Sequence, residues 1–206
     1  MRASQIRPAS RWLTAILALV VALGCQAAAH EQPVTTPAAR FLQGTVATAL
    51  ALARPPMTHK ADARLDALVR DSMDWTGLTR FAIGRYRAEL GEDGVSRVRA
   101  QIERQLGMLA RRAGRELPGL TLAIKDMRID PDGNRHVLGA ATLPRFGEIE
   151  VEWVLAPAPN GYRIADIKAL GLTLRQFLRG WAAGLIAAQG GDAAAAFEGP
   201  AAATPR

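Results

Sequence analysis

Hydrophobic positions along this chain change their period twice. From about residue 36 to residue 116 they recur three and four apart, from 120 to 169 they alternate, and after Gly171 the helical spacing returns. Thr36-Pro37 predicts a helix start, with Thr as N-cap and Pro at the first helical position. Phe41, Val46, Ala49 and Ala53 carry that helix to a stop at Pro55-Pro56. Thr58 opens a second helix with Leu65, Leu68, Val69 and Met73 on one side, and Asp74 caps a short third over "DWTGLTRFAIGRYR". Gly91 to Gly94 predict a turn. A long helix follows, with Val95, Val98, Ile102, Leu106, Leu109 and Ala113 in register.

Pro118-Gly119 ends the helical period, and four β-like runs follow: Leu120–Ile129, His136–Leu143, Glu148–Leu155 and Tyr162–Ala169. The turns between them, at Pro131-Asp132-Gly133-Asn134, Pro144-Arg145-Phe146-Gly147 and Pro157 to Gly161, are too short for crossovers, so the strands form an antiparallel meander. In "EIEVEW", Glu148, Glu150 and Glu152 face one way and Ile149, Val151 and Trp153 the other, which gives the sheet one wet and one apolar face. Thr173 and Gln176 make a capping box for a last helix. Its apolar stripe is Leu174, Phe177, Leu178, Trp181, Ala182 and Leu185, edged by Arg175 and Arg179. From Gly190 the Ala-, Gly- and Pro-rich tail reads as disordered. No internal repeat is present. The expected class is α+β: N-terminal helices, a four-stranded antiparallel sheet, and a C-terminal helix on the apolar sheet face enclosing a hydrophobic cavity.

The 206 residues suffice for one domain with a sizeable core, expected over residues 30–189. The first 29 residues change the picture. Arg2, Arg7 and Arg11 precede the apolar run Trp12–Leu23, and Ala27-Ala28-Ala29 supplies an A-x-A exit, so residues 1–29 read as a cleaved secretory signal with His30 as the mature N-terminus. The run is short for a permanent membrane anchor. Leu23-Gly24-Cys25 resembles a lipobox, the alternative exit, which would leave Cys25 lipidated. Ordinary cleavage removes the chain's only cysteine, and with it any disulfide or thiolate site. Three of the 26 basic residues and none of the 19 acidic ones lie in the leader, so the mature charge falls from +7 to +4. Such a mild charge on an exported protein argues against nucleic acid and favours an anionic headgroup or membrane surface.

Catalytic patterns are missing from the sequence. His30, His59 and His136 are far apart and form no HxxxH or HExxH motif, and Ser72 and Ser96 lack the glycines of a nucleophile elbow. "GEDG" and "DPDGN" read as turns, because neither completes a phosphate or calcium loop. No enzyme activity, metal or cofactor is expected. Arg97, Arg99, Arg104, Arg111, Arg112 and Arg115, set against Glu103 and Glu116, give the long helix either a solvated face or a docking surface for anionic partners.

Asp74-Trp75 followed by Ile83-Gly84-Arg85-Tyr86 resembles a pattern of the MlaC family of periplasmic phospholipid-binding proteins (the toluene-tolerance type). A second segment of that family is matched by Tyr162, Ile164, Asp166, Ile167, Gly171, Leu172, Thr173, Leu174 and Arg179, and Gly190-Gly191-Asp192 resembles the turn that follows it. Arg87 and Leu178 depart from the pattern, which carries Trp and Tyr there. The resemblance implies a monomeric lipid shuttle in the periplasm. It would carry phospholipid between an inner-membrane ABC-transporter lipid complex and an outer-membrane lipoprotein/porin complex. The residues it implies for lipid binding are Ile83, Arg85, Tyr86, Trp153, Ile164, Leu174, Phe177, Leu178, Arg179 and Trp181, with Arg179 or Arg85 at the cavity mouth. A hopanoid is the alternative cargo, since a hopanoid-associated subgroup is similar in outline. A ligand-free envelope adaptor and an enzyme on a hydrophobic substrate are the other readings; the enzyme lacks a base.

Overall fold

The computed structural model describes residues 36–53, 58–116, 120–143 and 147–198. The leader, Cys25, the breaks at Pro55-Pro56 and Pro118-Gly119, the 144–146 turn and residues 199–206 lie outside the described residues.

Helix starts follow their caps. In α1 (Pro37–Ala53) the Thr36 hydroxyl accepts from the Ala39 N–H at 3.2 Å, and Leu42, Val46, Ala49 and Ala53 form the buried stripe. Thr58 caps α2 (His59–Ser72) and Asp74 caps α3 (Trp75–Ile83) in the same way. A 3-10 turn, Gly84–Tyr86, joins α3 to α4 (Arg87–Glu116), which buries Val98, Ile102, Leu106, Ala110 and Ala113. The expected turn at Gly91 to Gly94 is narrower than that. Only Gly91 leaves the helical path, at φ 60° and ψ −174°, and the chain resumes the helix at once.

The strands are β1 (Thr121–Ile129), β2 (Arg135–Leu143), β3 (Gly147–Ala158), β4 (Gly161–Ala169) and β5 (Leu172–Thr173), paired antiparallel in that order. The meander is as expected, but the sheet has five strands rather than four. Leu170 and Gly171 both take left-handed backbone, φ 54° and 78°, and close a tight hairpin that pairs Lys168 with Thr173 and Ala169 with Leu172. Leu in that conformation breaks the usual turn chemistry, so the strand is invisible from composition.

The register stacks Met127, Val137, Trp153 and Ile167 into one row on the inner face, with Ile124, Gly139, Val151 and Ala169 in the next. Gly139 makes room: a Cβ there would meet the Ala123 carbonyl oxygen at 2.5 Å and the Trp153 ring at 3.2 Å. Helices α1, α2 and α3 lie against β4, as does α5 (Leu174–Ala188), and α1 also reaches β2. Toward β1 the apolar face is only half-covered, at Leu122, Ile124, Met127 and Ile149. Among the described residues no helix is long and apolar enough to cross a membrane.

The expected disorder from Gly190 is corrected for residues 190–198. Asp192 caps a short helix, α6 (Ala193–Phe197), and Glu89 accepts the Ala193 N–H at 2.9 Å. Phe197 is fully buried, its ring centroid 6.0 Å from that of Trp181. Burying one Phe contributes about 1.5–3 kcal/mol, enough to hold a segment whose composition alone reads as loose.

Two substitutions test this account. Gly139→Ala should cost about 1–3 kcal/mol in denaturant unfolding, because the opposing atom is backbone and cannot step aside. Leu170→Gly should instead raise stability by up to about 1 kcal/mol by relieving the left-handed strain. A neutral result for Gly139→Ala would mean that the β1–β2 register is wrong here.

Candidate functional site: the junction of α3, β4 and α5

The two segments that resemble the family pattern, about ninety residues apart, meet at one junction. The Asp74 N–H donates to the Ile164 carbonyl at 2.9 Å, and Met73 and Ile164 form an isolated parallel bridge. The Asp74 carboxylate then accepts the Gly77 N–H at 3.0 Å and starts α3. Gly84 ends that helix at φ 49°, where a Cβ would lie 2.8 Å from an Arg179 guanidinium nitrogen.

From the other side, β4 is bulged: Leu155 pairs with Ile164 and Val154 with Asp166, which leaves Ala165 over. Ile164 and Ala165 are consequently both buried. The Ala165 carbonyl accepts from Arg175 Nε at 3.0 Å, and the Asp166 carboxylate accepts the Ile167 and Arg175 N–H groups at 2.9 and 3.0 Å. Burial raises the Asp166 carboxyl above its ordinary value, against the pull of those backbone N–H groups.

Between α3 and α5 lies a cleft of about 270 Å³ lined by Gly77, Arg80, Phe81, Gly84, Arg175 and Arg179. The guanidinium carbons of Arg175 and Arg179 sit 5.9 and 5.2 Å from the Phe81 ring centroid. Arg179 was expected at a cavity mouth and does line a cleft. Arg85 does not join it, being exposed and donating to the Tyr86 hydroxyl at 3.0 Å. Arg80 and Phe81 were not singled out from sequence, although both lie inside the quoted "DWTGLTRFAIGRYR".

Residues expected to line an acyl cavity separate into two sets. Ile83, Trp153, Ile164, Leu174 and Leu178 are buried together in the core, while Tyr86, Phe177 and Trp181 are half-buried at its margin. Trp181 lies against Phe197 of the tail. The clefts seen among the described residues are lined by other side chains, so the enclosed cavity expected from sequence is not seen. Three side-chain atoms, Asp62 Oδ1, Thr79 Oγ1 and Trp153 Nε1, are buried with no hydrogen-bond partner among the described residues, and Trp153 Nε1 is the one on the sheet.

Other polar clusters serve the fold. On the wet sheet face His136 bridges Glu152 (Nδ1, 2.6 Å) and Asp130 (Nε2, 3.1 Å), and Arg128 reaches Glu152 at 2.7 Å. The Asn134 side chain above all, with His136 assisting, pulls the Asp130 carboxyl down to about 2. Burial would raise Glu152, but hydrogen bonds from His136 and Arg128 leave it below its ordinary value. On α4, Arg111 is paired with Asp66 and Arg99 with Glu103, so part of the basic helix is engaged within the chain.

No family model and no curated protein matches the chain. A solved structure does. The fold is similar to that of a phospholipid-binding protein from Ralstonia solanacearum, solved in complex with a phospholipid. The two share a TM-score of 0.59 and 19% identity, over 76% of this chain and 91% of that one.

The sheet-face cluster gives a pH-dependent expectation. Asp130 is held ionised down to about pH 2 in the folded state, against an ordinary value of 3.8, so its contribution is complete above that value and fades as pH falls toward 2. Asn134→Ala should therefore lower stability at neutral pH and match the parent near pH 2. Denaturant melts across that range check it; a gap that stays constant with pH would refute the assignment.

Proposed function

We propose that this protein is a periplasmic phospholipid carrier of the MlaC type, exported by its leader and catalysing no reaction. The observation that carries the reading is the Trp153 indole N–H, buried without a partner in the apolar layer between sheet and helices. An unpaired buried donor costs about 1–3 kcal/mol. A lipid ester or glycerol oxygen would satisfy it while the acyl chains lie along the half-covered face at Leu122, Ile124, Met127 and Ile149. The likeness in fold to a protein that holds a phospholipid supports this, as do the two pattern segments meeting at one junction. The chain would take lipid from one membrane-bound complex and yield it to another, an ABC-transporter lipid complex and a lipoprotein/porin complex, by differences in affinity.

A second reading, a ligand-free envelope adaptor, is favoured by the complete burial of Leu174 and Leu178. Organic extraction of purified protein followed by mass spectrometry separates the two, and also separates phospholipid from hopanoid cargo. Ile149→Trp should leave the thermal midpoint within a few degrees of the parent while extracted lipid falls several-fold, because the larger side chain occupies acyl space on the half-covered face. Unfolding of that variant, or an unchanged lipid load, would place the acyl site elsewhere. Parent protein that yields no lipid would favour the adaptor.

A further inference from the structure

We propose that the cleft between α3 and α5 binds a phosphate group, held by Arg80 and Arg179 with Arg175 beside them. The site is built. The Arg175 and Arg179 guanidinium groups lie against the Phe81 ring, the missing Cβ of Gly84 leaves room for the Arg179 guanidinium, and the volume of about 270 Å³ exceeds what one phosphate fills. Three arginines stand against the two junction carboxylates, Asp74 and Asp166, so a net positive charge remains. Both carboxylates also hold backbone groups: Asp74 takes the Gly77 N–H, and Asp166, which attracts the Arg175 charge as well, takes those of Ile167 and Arg175. Arg80 and Arg179 form no ion pair among the described residues, and Arg175 commits only Nε, to the Ala165 carbonyl. Thr173 and Asp166 already take the Gln176 and Arg175 N–H groups at the start of α5. Anion recognition therefore falls to the guanidinium groups, whose paired donors match phosphate oxygens.

A lipid headgroup at a bilayer surface is the favoured source of that phosphate. The β4–β5 hairpin exposes Leu170 (52%) and Leu172 (48%), and Leu172 is three residues from Arg175, at most about 11 Å of chain. Apolar tips beside cationic groups suit an anionic interface. The phosphate site does not depend on the carrier reading, because it lies outside the apolar layer where the acyl chains would go.

The experiment uses the secreted, full-length mature chain. Its binding is measured to vesicles of phosphatidylcholine and phosphatidylglycerol, about four to one, to phosphatidylcholine vesicles alone, and to inorganic phosphate by NMR titration. Arg80→Gln/Arg179→Gln should weaken binding to the mixed vesicles about tenfold and abolish the phosphate-induced shifts at the junction. The charge-matched control Lys60→Gln/Arg64→Gln, on the exposed start of α2, should change neither by more than about twofold. Leu172→Ser should reduce vesicle binding and leave phosphate binding intact. Phosphate shifts without vesicle binding would keep the site and assign it to free phosphate. Equal losses in the cleft and control variants, or no loss in the cleft variant, would overturn the proposal. Circular dichroism of each variant confirms that it is folded. Extracted lipid, measured alongside, should be unchanged in the cleft variant; parent protein that carries no lipid but keeps phosphate binding would defeat the carrier reading alone.

Discussion

The helical layer is placed by the free edge of β4. A strand at a sheet edge presents unpaired N–H and C=O groups that invite another strand. Here the two-residue β5 covers only Lys168 and Ala169, and helix starts cover the edge further back. The Ile164 carbonyl holds the α2–α3 joint through Asp74, while the Ala165 carbonyl and the Asp166 carboxylate hold the first turn of α5 through Arg175. The bulge at Ala165 is what turns neighbouring residues to these different tasks. One strand thereby fixes two helices and, with them, the cleft where they face each other.

Repulsion between the arginines at that junction is small before any ligand arrives. Guanidinium carbons 5.9 and 5.2 Å from one ring centroid cannot be more than about 11 Å apart. Two unit charges at that distance repel by about 0.4 kcal/mol in water and about 1.5 kcal/mol at an effective dielectric near 20. A cation over an exposed ring gains about 0.5–1 kcal/mol, so Phe81 offsets much of the repulsion without removing it. An anion entering the cleft gains from both arginines at once. The raised Asp166 carboxyl sits on the other side of this balance: it is the nearby acid, buried, and it accepts the Ile167 N–H of its own strand and the Arg175 N–H at the start of α5.

Local chemistry made much of the fold legible in the sequence. Thr36-Pro37 and the Thr173–Gln176 capping box mark helix starts with side chains only three residues from their partners, and both are found in place. Alternation in β3 exposed the wet and apolar faces correctly. The features that escaped depend on tertiary contact or on strain. Leu170 adopts a backbone that its residue type argues against, which hid β5. The Ala-rich tail has no periodicity of its own, and the burial of Phe197 against Trp181 comes from a partner sixteen residues away. The cavity expected beneath the last helix is not seen, because Leu174 and Leu178 spaced along one helix face look the same over a filled core as over an open one.

Most positions of the resembling pattern prove to have a structural duty, and this separates fold from ligand in the pattern itself. Asp74 caps α3, Gly84 takes a left-handed φ beside Arg179, Asp166 anchors α5, Gly171 turns the β4–β5 hairpin, and Thr173 caps the last helix. A chain needs these residues to make the junction whatever it binds, so their presence argues for the architecture first. Arg179 is different. It is exposed, it forms no ion pair among the described residues, and its side chain lies over Phe81 in the space that Gly84 leaves open. Within α5 the position would accept Gln or Lys as well, and neither would present a planar fork of donors to an anion. Among the pattern positions Arg179, like the exposed Arg85, has an identity that the fold does not explain, and recognition of an acidic oxygen group is the role proposed for it.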